Sequence, residues 1–312
     1  MSSTWRFVHI TDTHVGSPKS FRYQPKFYDQ WETAKRQIQS LEPDLVLVGG
    51  DVTRDGFVHD YEFESSKAGL DSLGIPWHIV PGNMDVGNKV STRQGNSGKP
   101  DRMTDMEMGM TRDRLEVWQS YFGPLNWSFL HKGVRFTGFL ASVTDSGFPE
   151  EDELWKFLEN LPEEETPRHH VVMTHFPLFV EDARESTADM TADPYSYATW
   201  YFQINRAPRV RILEHLERTR VETLLSGHIH NRRIDRYRNM TFYKGPATAF
   251  SQFHERWPDG DPTLGFQCFE VSDEGLEYQF IPLEEESDRE GYGPGGHPQH
   301  ALRDYSLAWE KE

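Results

Sequence analysis

The chain has 312 residues, of which 36% are hydrophobic and 13% aromatic. This composition is typical of a globular enzyme and excludes a largely disordered chain. The formal net charge of −17, from 50 acidic and 33 basic residues, disfavours binding to duplex nucleic acid or to anionic lipid. An anionic substrate would need a local positive centre, such as bound divalent cations.

Cysteine content and the N-terminal pattern suggest where the protein works. Cys268 is the only cysteine, so no internal disulfide can form, and the count fits a reducing compartment. Residues 1–6 run into an apolar stretch without the pattern of a signal peptide, and no apolar run is long enough to span a bilayer. We therefore expect a cytoplasmic protein that does not associate with membranes.

Strand-like and helical stretches alternate through the first 80 residues. Residues 5–11 predict a strand, and apolar side chains at steps of three and four then predict a helix. These apolar side chains are Phe27, Trp31, Ala34, Ile38 and Leu41. Residues 45–48 and 75–80 predict further strands, with a helix at 59–73 between them. This order predicts a sheet with parallel strands and right-handed crossovers.

The second half repeats this alternation and then changes. Strands are predicted at residues 134–140, 170–174 and 221–226, with intervening helices around 154–161 and 210–216. Short strands joined by tight turns follow, at residues 234–237, 241–244, 266–271 and 276–281. The simplest architecture is an α/β fold in which two sheets pack face to face with helices outside.

Three segments depart from this alternation. Residues 84–114 and 179–207 are predicted as insertions in one domain that spans residues 1–283, and residues 284–312 as a charged C-terminal tail. Long loops within compact domains often serve as functional lids, and disorder is the alternative. Aromatic side chains between residues 195 and 202 could stack on a base or aryl group, or simply pack the insertion onto the domain.

Five short clusters of potential metal ligands each follow a predicted strand. They are Asp12-Thr13-His14, Gly50-Asp51, Gly82-Asn83, Thr174-His175 and Gly227-His228-Ile229-His230. The carboxyl ends of strands converge on one edge of an open α/β sheet, so these side chains can meet there. Carboxylate, imidazole and amide donors together suit manganese, iron or zinc.

The joint pattern is more informative than any single cluster. An isolated Asp-x-His is usually a surface pair, Gly-Asp and Gly-Asn are common in turns, and a lone histidine such as His175 is usually a hydrogen-bonded core residue. All five clusters in order, each at a strand end, predict a centre of two cations about 3.5–4 Å apart, which needs a bridging ligand. Asp51 is the natural bridge.

With these motifs in this order, residues 5–250 resemble the calcineurin-like metallophosphoesterases, whose pattern is D-x-H, G-D, G-N-H-D/E, H and G-H-x-H. The chain is similar to the cyclic-nucleotide phosphodiesterase and small cytosolic phosphatase branches. The resemblance implies an αββα sandwich of two mixed β-sheets flanked by helices, and two divalent ions (Mn, Fe or Zn). It places Asp12, His14, Asp51 and His230 on the first ion and Asp51, Asn83, His175 and His228 on the second.

The implied activity is hydrolysis of a phosphate ester, either a monoester or a diester. A hydroxide held between the metals would attack phosphorus in line, while the cations neutralise the developing charge. The expected partner is a small phosphorylated substrate, such as a nucleotide or an aryl ester. A phosphoprotein phosphatase and a metal-binding scaffold without catalysis are the alternatives, and the negative charge disfavours a nuclease.

Met84 breaks the family pattern, because the family has a histidine there that is thought to protonate the leaving group or hold the phosphate. A thioether can do neither, and loss of a general acid typically costs about 10²–10⁴-fold in rate. Another residue, such as His59 or His254, could supply the proton. Alternatively, the substrate has a good leaving group, or the protein binds metal with little activity.

Arg54 and Arg232 are the candidates for contacting the substrate. Each follows a metal-ligand motif, Asp51 and His230 respectively, and could reach a phosphate. A surface salt bridge is the alternative for both.

Overall fold

The computed structural model describes residues 4–20, 22–90, 108–162, 167–186, 200–252, 257 and 259–291. In chain order, these residues form strands β1 (Trp5–Ile10), β2 (Leu45–Val48), β3 (Trp77–Ile79), β4 (Trp127–His131), β5 (Val134–Gly138), β6 (His169–Met173), β7 (Thr223–Ser226), β8 (Arg233–Tyr237), β9 (Met240–Lys244), β10 (Gly265–Val271) and β11 (Leu276–Pro282). The helices are α1 (Pro25–Leu41), α2 (Tyr61–Asp71), α3 (Asn83–Val86), α4 (Arg112–Phe122), α5 (Pro149–Glu159) and α6 (Arg206–Arg218).

The strands form two mixed sheets. The first has the order β11-β10-β1-β2-β3, in which β1, β2 and β3 are parallel and β10 pairs antiparallel with both β1 and β11. The second has the order β4-β5-β6-β7-β9-β8, in which β5, β6, β7 and β9 are parallel and the edge strands β4 and β8 are antiparallel. The parallel strands end at one edge of each sheet, where the polar motifs follow them.

The two sheets face each other across an apolar layer. Phe7 of β1 packs edge to face on Phe136 of β5, with ring centroids 5.1 Å apart. Successive side chains of a strand alternate between faces, so Val8 and Ile10 point away from this layer and pack in the same cluster as Trp31 of α1. Burial on both faces explains why β2 is an apolar run and why Arg6 is the one exposed side chain of β1.

Helix α1 illustrates how the sequence sets the ends of an element. Pro25 occupies the first turn, where its missing N–H costs nothing, and the helix ends as Glu42 adopts a left-handed conformation with φ of 49°. Its buried face contains Trp31, Ala34 and Ile38, as the spacing predicts.

The predicted αββα sandwich of two mixed sheets is confirmed. Three elements, the short helix α3, helix α4 and strand β4, were not predicted. Only Leu115 and Trp118 of α4 are buried, and two apolar positions are too few to define a period. Strand β4 is a half-buried edge strand that pairs only with β5.

The predicted insertions and tail fall partly outside the described residues. The described ends of the first insertion are joined by hydrogen bonds from Asn88 N to Met108 O (2.8 Å) and from Met110 N to Asn88 O (2.7 Å). Residues 284–291 lie along α1, where Gly291 N donates to Gln24 Oε1 (2.6 Å). The proposed extents of domain, insertions and tail stay predictions. In the part of the chain described, no helix is both long and apolar enough to cross a membrane.

Candidate metal centre

The five polar motifs lie at the ends of parallel strands from both sheets. Asp12 and His14 follow β1, Asp51 follows β2, and the remaining motifs follow β3, β6 and β7. Backbone hydrogen bonds join the loops within each sheet: Asp12 N donates to Gly50 O (3.0 Å), and Gly227 N donates to His175 O (2.9 Å). Between the sheets, His228 N donates to Asp12 Oδ2 (3.0 Å). The loops of the two sheets therefore meet at one edge of the sandwich.

Left-handed backbone conformations concentrate at these loops. Five of the candidate ligands have positive φ: Asp12 (55°), His14 (46°), Asp51 (50°), His228 (71°) and His230 (52°). Each such residue costs about 1–2 kcal/mol relative to an ordinary conformation. Strain of this kind persists where surrounding contacts enforce it, and it commonly marks functional sites. The sharp turns let both polar side chains of Asp12-x-His14 and of His228-x-His230 enter one cluster.

The first group consists of Asp12, His14, Asp51 and His230, whose donor atoms lie within 4.8 Å of one another. His230 Nε2 is 3.1 Å from Asp12 Oδ1 and 3.1 Å from His14 Nε2. His14 Nε2 is 3.8 Å from Asp51 Oδ2. Ligand atoms that lie about 2.0–2.2 Å from one ion are separated from one another by distances similar to these donor–donor distances. The donor set therefore fits a single divalent cation.

The second group shares Asp51 with the first and adds His175 and His228. His175 Nε2 is 3.4 Å from Asp51 Oδ2 and 3.2 Å from Asn83 Oδ1. Asp51 is thus the one carboxylate common to both groups. The structure therefore brings the seven predicted ligands together, with the predicted bridge between the groups.

Backbone carbonyls fix the orientation of three histidine rings. His175 Nδ1 donates to Gly49 O (2.8 Å) and His230 Nδ1 to Phe250 O (2.7 Å), so that Nε2 of each ring is directed to the cluster. In His228 the roles are reversed, because Nε2 donates to Tyr201 O (3.0 Å). Hydrogen bonding of the second ring nitrogen is typical of histidines that bind metal.

The protonation states in the first group also suit a cation. Burial, together with His230 and Arg54, lowers the pKa of His14 well below its usual value. Burial alone would raise the pKa of Asp12, but His230 and the other nearby histidines hold it well below its usual range. A neutral imidazole and an ionised carboxylate are the ligand forms that metals require.

His175 behaves differently in the second group. Burial alone would lower the pKa of His175, but the Asp51 carboxylate raises it to about 9. Burial and His175 lower the pKa of His228 well below its usual value. A cation at this group would therefore compete with the proton on His175.

Asp85, to which the sequence analysis assigned no role, organises the loop around Asp51. Its carboxylate accepts hydrogen bonds from the backbone N–H groups of Asp51 (2.8 Å), Gly82 (2.8 Å) and Thr53 (3.1 Å). Burial and the neighbouring Asp51 raise the pKa of Asp85 to about 7. The family motif has Asp or Glu at this position, and this was the signal from which a role for Asp85 could have been predicted.

Gly82 allows the third motif to approach the second closely. A Cβ atom on Gly82 would lie 2.1 Å from Asp51 Oδ1 and 2.4 Å from Asp51 N. Any side chain there would displace the shared carboxylate. The close approach of the Gly82 backbone to Asp51 therefore requires glycine at this position.

Arg54 lies beside the first group. Its guanidinium carbon is 5.7 Å from the centroid of the Phe250 ring, which is 5.1 Å from the His14 ring and 4.5 Å from the His230 ring. Arg54 Nε is buried without a hydrogen-bond partner among the described residues. Arg54 and Phe250 also line a cleft of about 540 Å³, together with Gln24, Lys26, Phe27, Glu290 and Gly291.

Of the other three candidates, Arg232 and His59 belong to neither group of ligands. The guanidinium group of Arg232 forms an ion pair with Asp261 and lies 4.4 Å from the centroid of the Phe280 ring. His59 is buried and stacks on Tyr61, with ring centroids 5.1 Å apart, and belongs to neither group. His254 lies outside the described residues. The roles of these three residues stay predictions.

Met84, the departure from the family pattern, lies next to the shared carboxylate. Its backbone N donates to Asp51 Oδ1 (2.7 Å), and its sulfur is 3.4 Å from Asn83 Nδ2. A side chain at position 84 is therefore adjacent to a candidate ligand of the second ion.

The model of the calcineurin-like phosphoesterase family matches residues 6–232, a range that contains all seven candidate ligands. The chain is 21% identical over 264 residues to a protein of Xenorhabdus bovienii named "Probable cyclic nucleotide phosphodiesterase", with 83% of this chain and 90% of that protein covered. It is 23% identical over 312 residues to the Danio rerio protein named "Serine/threonine-protein phosphatase CPPED1", with 92% and 88% covered.

A solved structure shares the fold. The purple acid phosphatase PPD1 from yellow lupin (Lupinus luteus) seeds matches with a TM-score of 0.61 at 13% identity. The match covers 92% of this chain and 53% of that chain, so this chain spans about half of its length. At this identity the likeness supports the fold alone.

Proposed function

Because the chain belongs to the calcineurin-like phosphoesterase family, we propose that it hydrolyses a small phosphate ester at a centre of two divalent cations. As a member of this family the protein is a hydrolase acting on phosphate esters. The observation that carries the two-ion proposal is the position of Asp51, which lies in both groups of candidate ligands. A carboxylate shared between two such groups is suited to bridge a pair of ions.

The proposed ligands keep the roles that the sequence predicts. Asp12, His14, Asp51 and His230 would hold one ion, and the remaining three ligands would join Asp51 at the other. Bound cations would polarise the phosphoryl group and lower the pKa of the attacking water. The mixture of carboxylate, imidazole and amide donors favours manganese, iron or zinc.

The cleft next to the first group supports a small substrate. Its volume of about 540 Å³ lies within the range of small-molecule sites. Arg54 on its wall would bring positive charge to a phosphoryl oxygen beside the first ion. We therefore propose a phosphodiester or monoester of nucleotide or aryl size as the substrate, which agrees with the similarity to the protein named a cyclic nucleotide phosphodiesterase.

A phosphoprotein phosphatase is the second candidate, favoured by the similarity to the protein named CPPED1. A screen of metal-free protein with added Mn²⁺ separates the candidates. We expect turnover of bis-nitrophenyl phosphate or cyclic nucleotides, abolished by a chelator and restored by Mn²⁺. Turnover of phosphopeptides alone would support the second candidate. Bound metal without turnover of any ester would reject both and leave a scaffold.

Replacing Met84 with His should raise the turnover of alkyl phosphodiesters by about 10-fold or more, and that of nitrophenyl esters much less. An imidazole beside Asn83 could protonate a poor leaving group, and proton transfer of this kind contributes about 10²–10⁴-fold in many enzymes. A nitrophenolate needs no such help. The measurement is kcat for both substrates in the wild type and the Met84→His variant.

Met84→Gln is the matched control, because it replaces the thioether with a side chain of similar length that is no acid. It should leave the ratio of the two kcat values unchanged. If Met84→His changes both substrates equally, or neither, the missing-acid explanation is wrong.

A further inference from the structure

Tyr201, in the second insertion, contacts two of the candidate ligands of the second ion. Its hydroxyl accepts a hydrogen bond from Asn83 Nδ2 (3.2 Å), and its backbone carbonyl accepts one from His228 Nε2 (3.0 Å). Its ring also lies against the His228 ring, with centroids 4.8 Å apart. A single residue outside all five motifs therefore touches two ligands that come from different sheets.

The contact with Asn83 determines which end of the amide faces the second group. An asparagine side chain has an oxygen that can bind a cation and an NH₂ group that cannot. Because Nδ2 donates to the Tyr201 hydroxyl, Oδ1 faces His175, whose Nε2 is 3.2 Å away. Without that acceptor, the amide could rotate and present NH₂ to the cation.

The contact with His228 determines its tautomer. A neutral imidazole carries its hydrogen on one nitrogen and a lone pair on the other. Since Nε2 donates to the Tyr201 carbonyl, the lone pair is on Nδ1, in a ring that forms the second group with Asp51 and His175. Tyr201 thus orients the amide and the imidazole at the same time.

Lys89, in the first insertion, holds the segment around Tyr201. Its Nζ donates to the carbonyls of Trp200 and Gln203, both at 2.5 Å, and it lies 4.5 Å from the centroid of the Trp200 ring. Lys89 is only 4% exposed. Among the residues that the structure describes, no carboxylate forms an ion pair with Lys89, and burying an ammonium group without such a partner is costly. The two carbonyls that it binds flank Tyr201.

We propose that Tyr201 is a positioning residue for the second metal ion, and that Lys89 holds the Tyr201 segment in place. The inference rests on the proposed two-ion function. The second insertion then belongs to the metal centre, because it sets the amide orientation and the imidazole tautomer on which the second ion depends. The two hydrogen bonds of Tyr201 described above both go to ligands of the second group, so its loss should weaken mainly the binding of the second ion.

The test is a titration of metal-free protein with Mn²⁺, monitored by calorimetry and by electron paramagnetic resonance. The wild type should bind two ions and give the spectrum of a spin-coupled pair. Tyr201→Phe should weaken the second ion by about 10–100-fold, the usual effect of losing a partner that orients a ligand. It should leave the affinity for the first ion unchanged. With one equivalent of Mn²⁺ or more, it should give the spectrum of an isolated ion. Lys89→Met should weaken the binding of the second ion in the same way. Lys89→Arg, which keeps the charge and donors, should weaken it less.

Lys244→Met is the matched control. Lys244 is also buried and also donates to a carbonyl of the second insertion, that of Val180, but it contacts Asp235 and not the Tyr201 segment. Its replacement should lower the melting temperature without changing the second dissociation constant. If Lys89→Met does not fold, Tyr201→Phe carries the test alone.

Two results overturn the inference. A Tyr201→Phe protein that binds both ions as tightly as the wild type shows that the tyrosine hydroxyl does not orient Asn83, because phenylalanine keeps the backbone carbonyl that His228 contacts. An equal weakening of both ions in the lysine variants and in Lys244→Met shows general loss of packing instead. Failure of the proposed function is distinguishable, because the wild type would then bind no pair of ions at all.

Discussion

Asp51→Asn is expected to lower kcat/KM by at least about 10⁴-fold, which corresponds to roughly 5 kcal/mol of transition-state stabilisation. Asp51 Oδ2 is the atom that approaches both groups, at 3.8 Å from His14 Nε2 and 3.4 Å from His175 Nε2. Asparagine could keep the hydrogen bond that Oδ1 accepts from Met84 N. It would, however, remove a negative charge and place an NH₂ group or a neutral oxygen between the cations. Bound metal and kcat/KM should be measured on the same preparation.

Asp235→Asn is a suitable control for this variant. Asp235 forms an ion pair with the buried Lys244 at 2.6 Å, outside the metal groups. Its replacement perturbs a buried charge to a comparable degree, so it should reduce stability but retain both ions and most of the turnover. An Asp51→Asn protein with two tightly bound ions and turnover within 10-fold of the wild type would contradict the bridging role.

Arg54→Gln is expected to lower kcat/KM by about 10²–10³-fold, the usual cost of removing one donor to a developing negative charge. Burial and the nearby Arg22 lower the pKa of Arg54 to about 10, so the guanidinium group stays protonated at neutral pH. Its buried Nε has no partner among the described residues, and the Arg54 side chain lines the cleft beside the first group. The phosphoryl group of a substrate would supply the missing acceptor.

Arg54→Lys should lie between the wild type and Arg54→Gln, because lysine keeps the charge but cannot bind two oxygens at once. Arg233→Gln is the control for loss of an arginine outside the cleft, since Arg233 already pairs with Asp259 at 3.1 Å. Kinetics should show the Arg54 effect on both kcat and KM. Turnover by Arg54→Gln within threefold of the wild type would remove Arg54 from the substrate site.

Much of the fold was predictable because its strands are apolar runs of ordinary strand length. Strands β1 and β2 are buried on both faces, and α1 has a regular apolar face, so both kinds of element leave a clear pattern. Helix α4 buries only two side chains, Leu115 and Trp118, and left no such pattern. The αββα arrangement was confirmed because it depends on the order of the main strands and not on α4.

The convergence of the candidate ligands was predictable for a related reason. Each motif follows a strand, and parallel strands deliver their carboxyl ends to one edge. Asp85 and Tyr201 were not predicted as parts of the centre, because they act through hydrogen bonds and not as ligands. Tyr201 in particular reaches the centre through an insertion without periodicity, and its position depends on Lys89, which is 112 residues earlier in the sequence.

The proposed function requires two cations that share Asp51. Anomalous diffraction at the manganese edge, from crystals grown with Mn²⁺, locates such ions without reference to activity. We expect two peaks, one within reach of Asp12, His14 and His230 and the other within reach of Asn83, His175 and His228, with Asp51 between them. A single peak, or peaks away from Asp51, would contradict the proposed function.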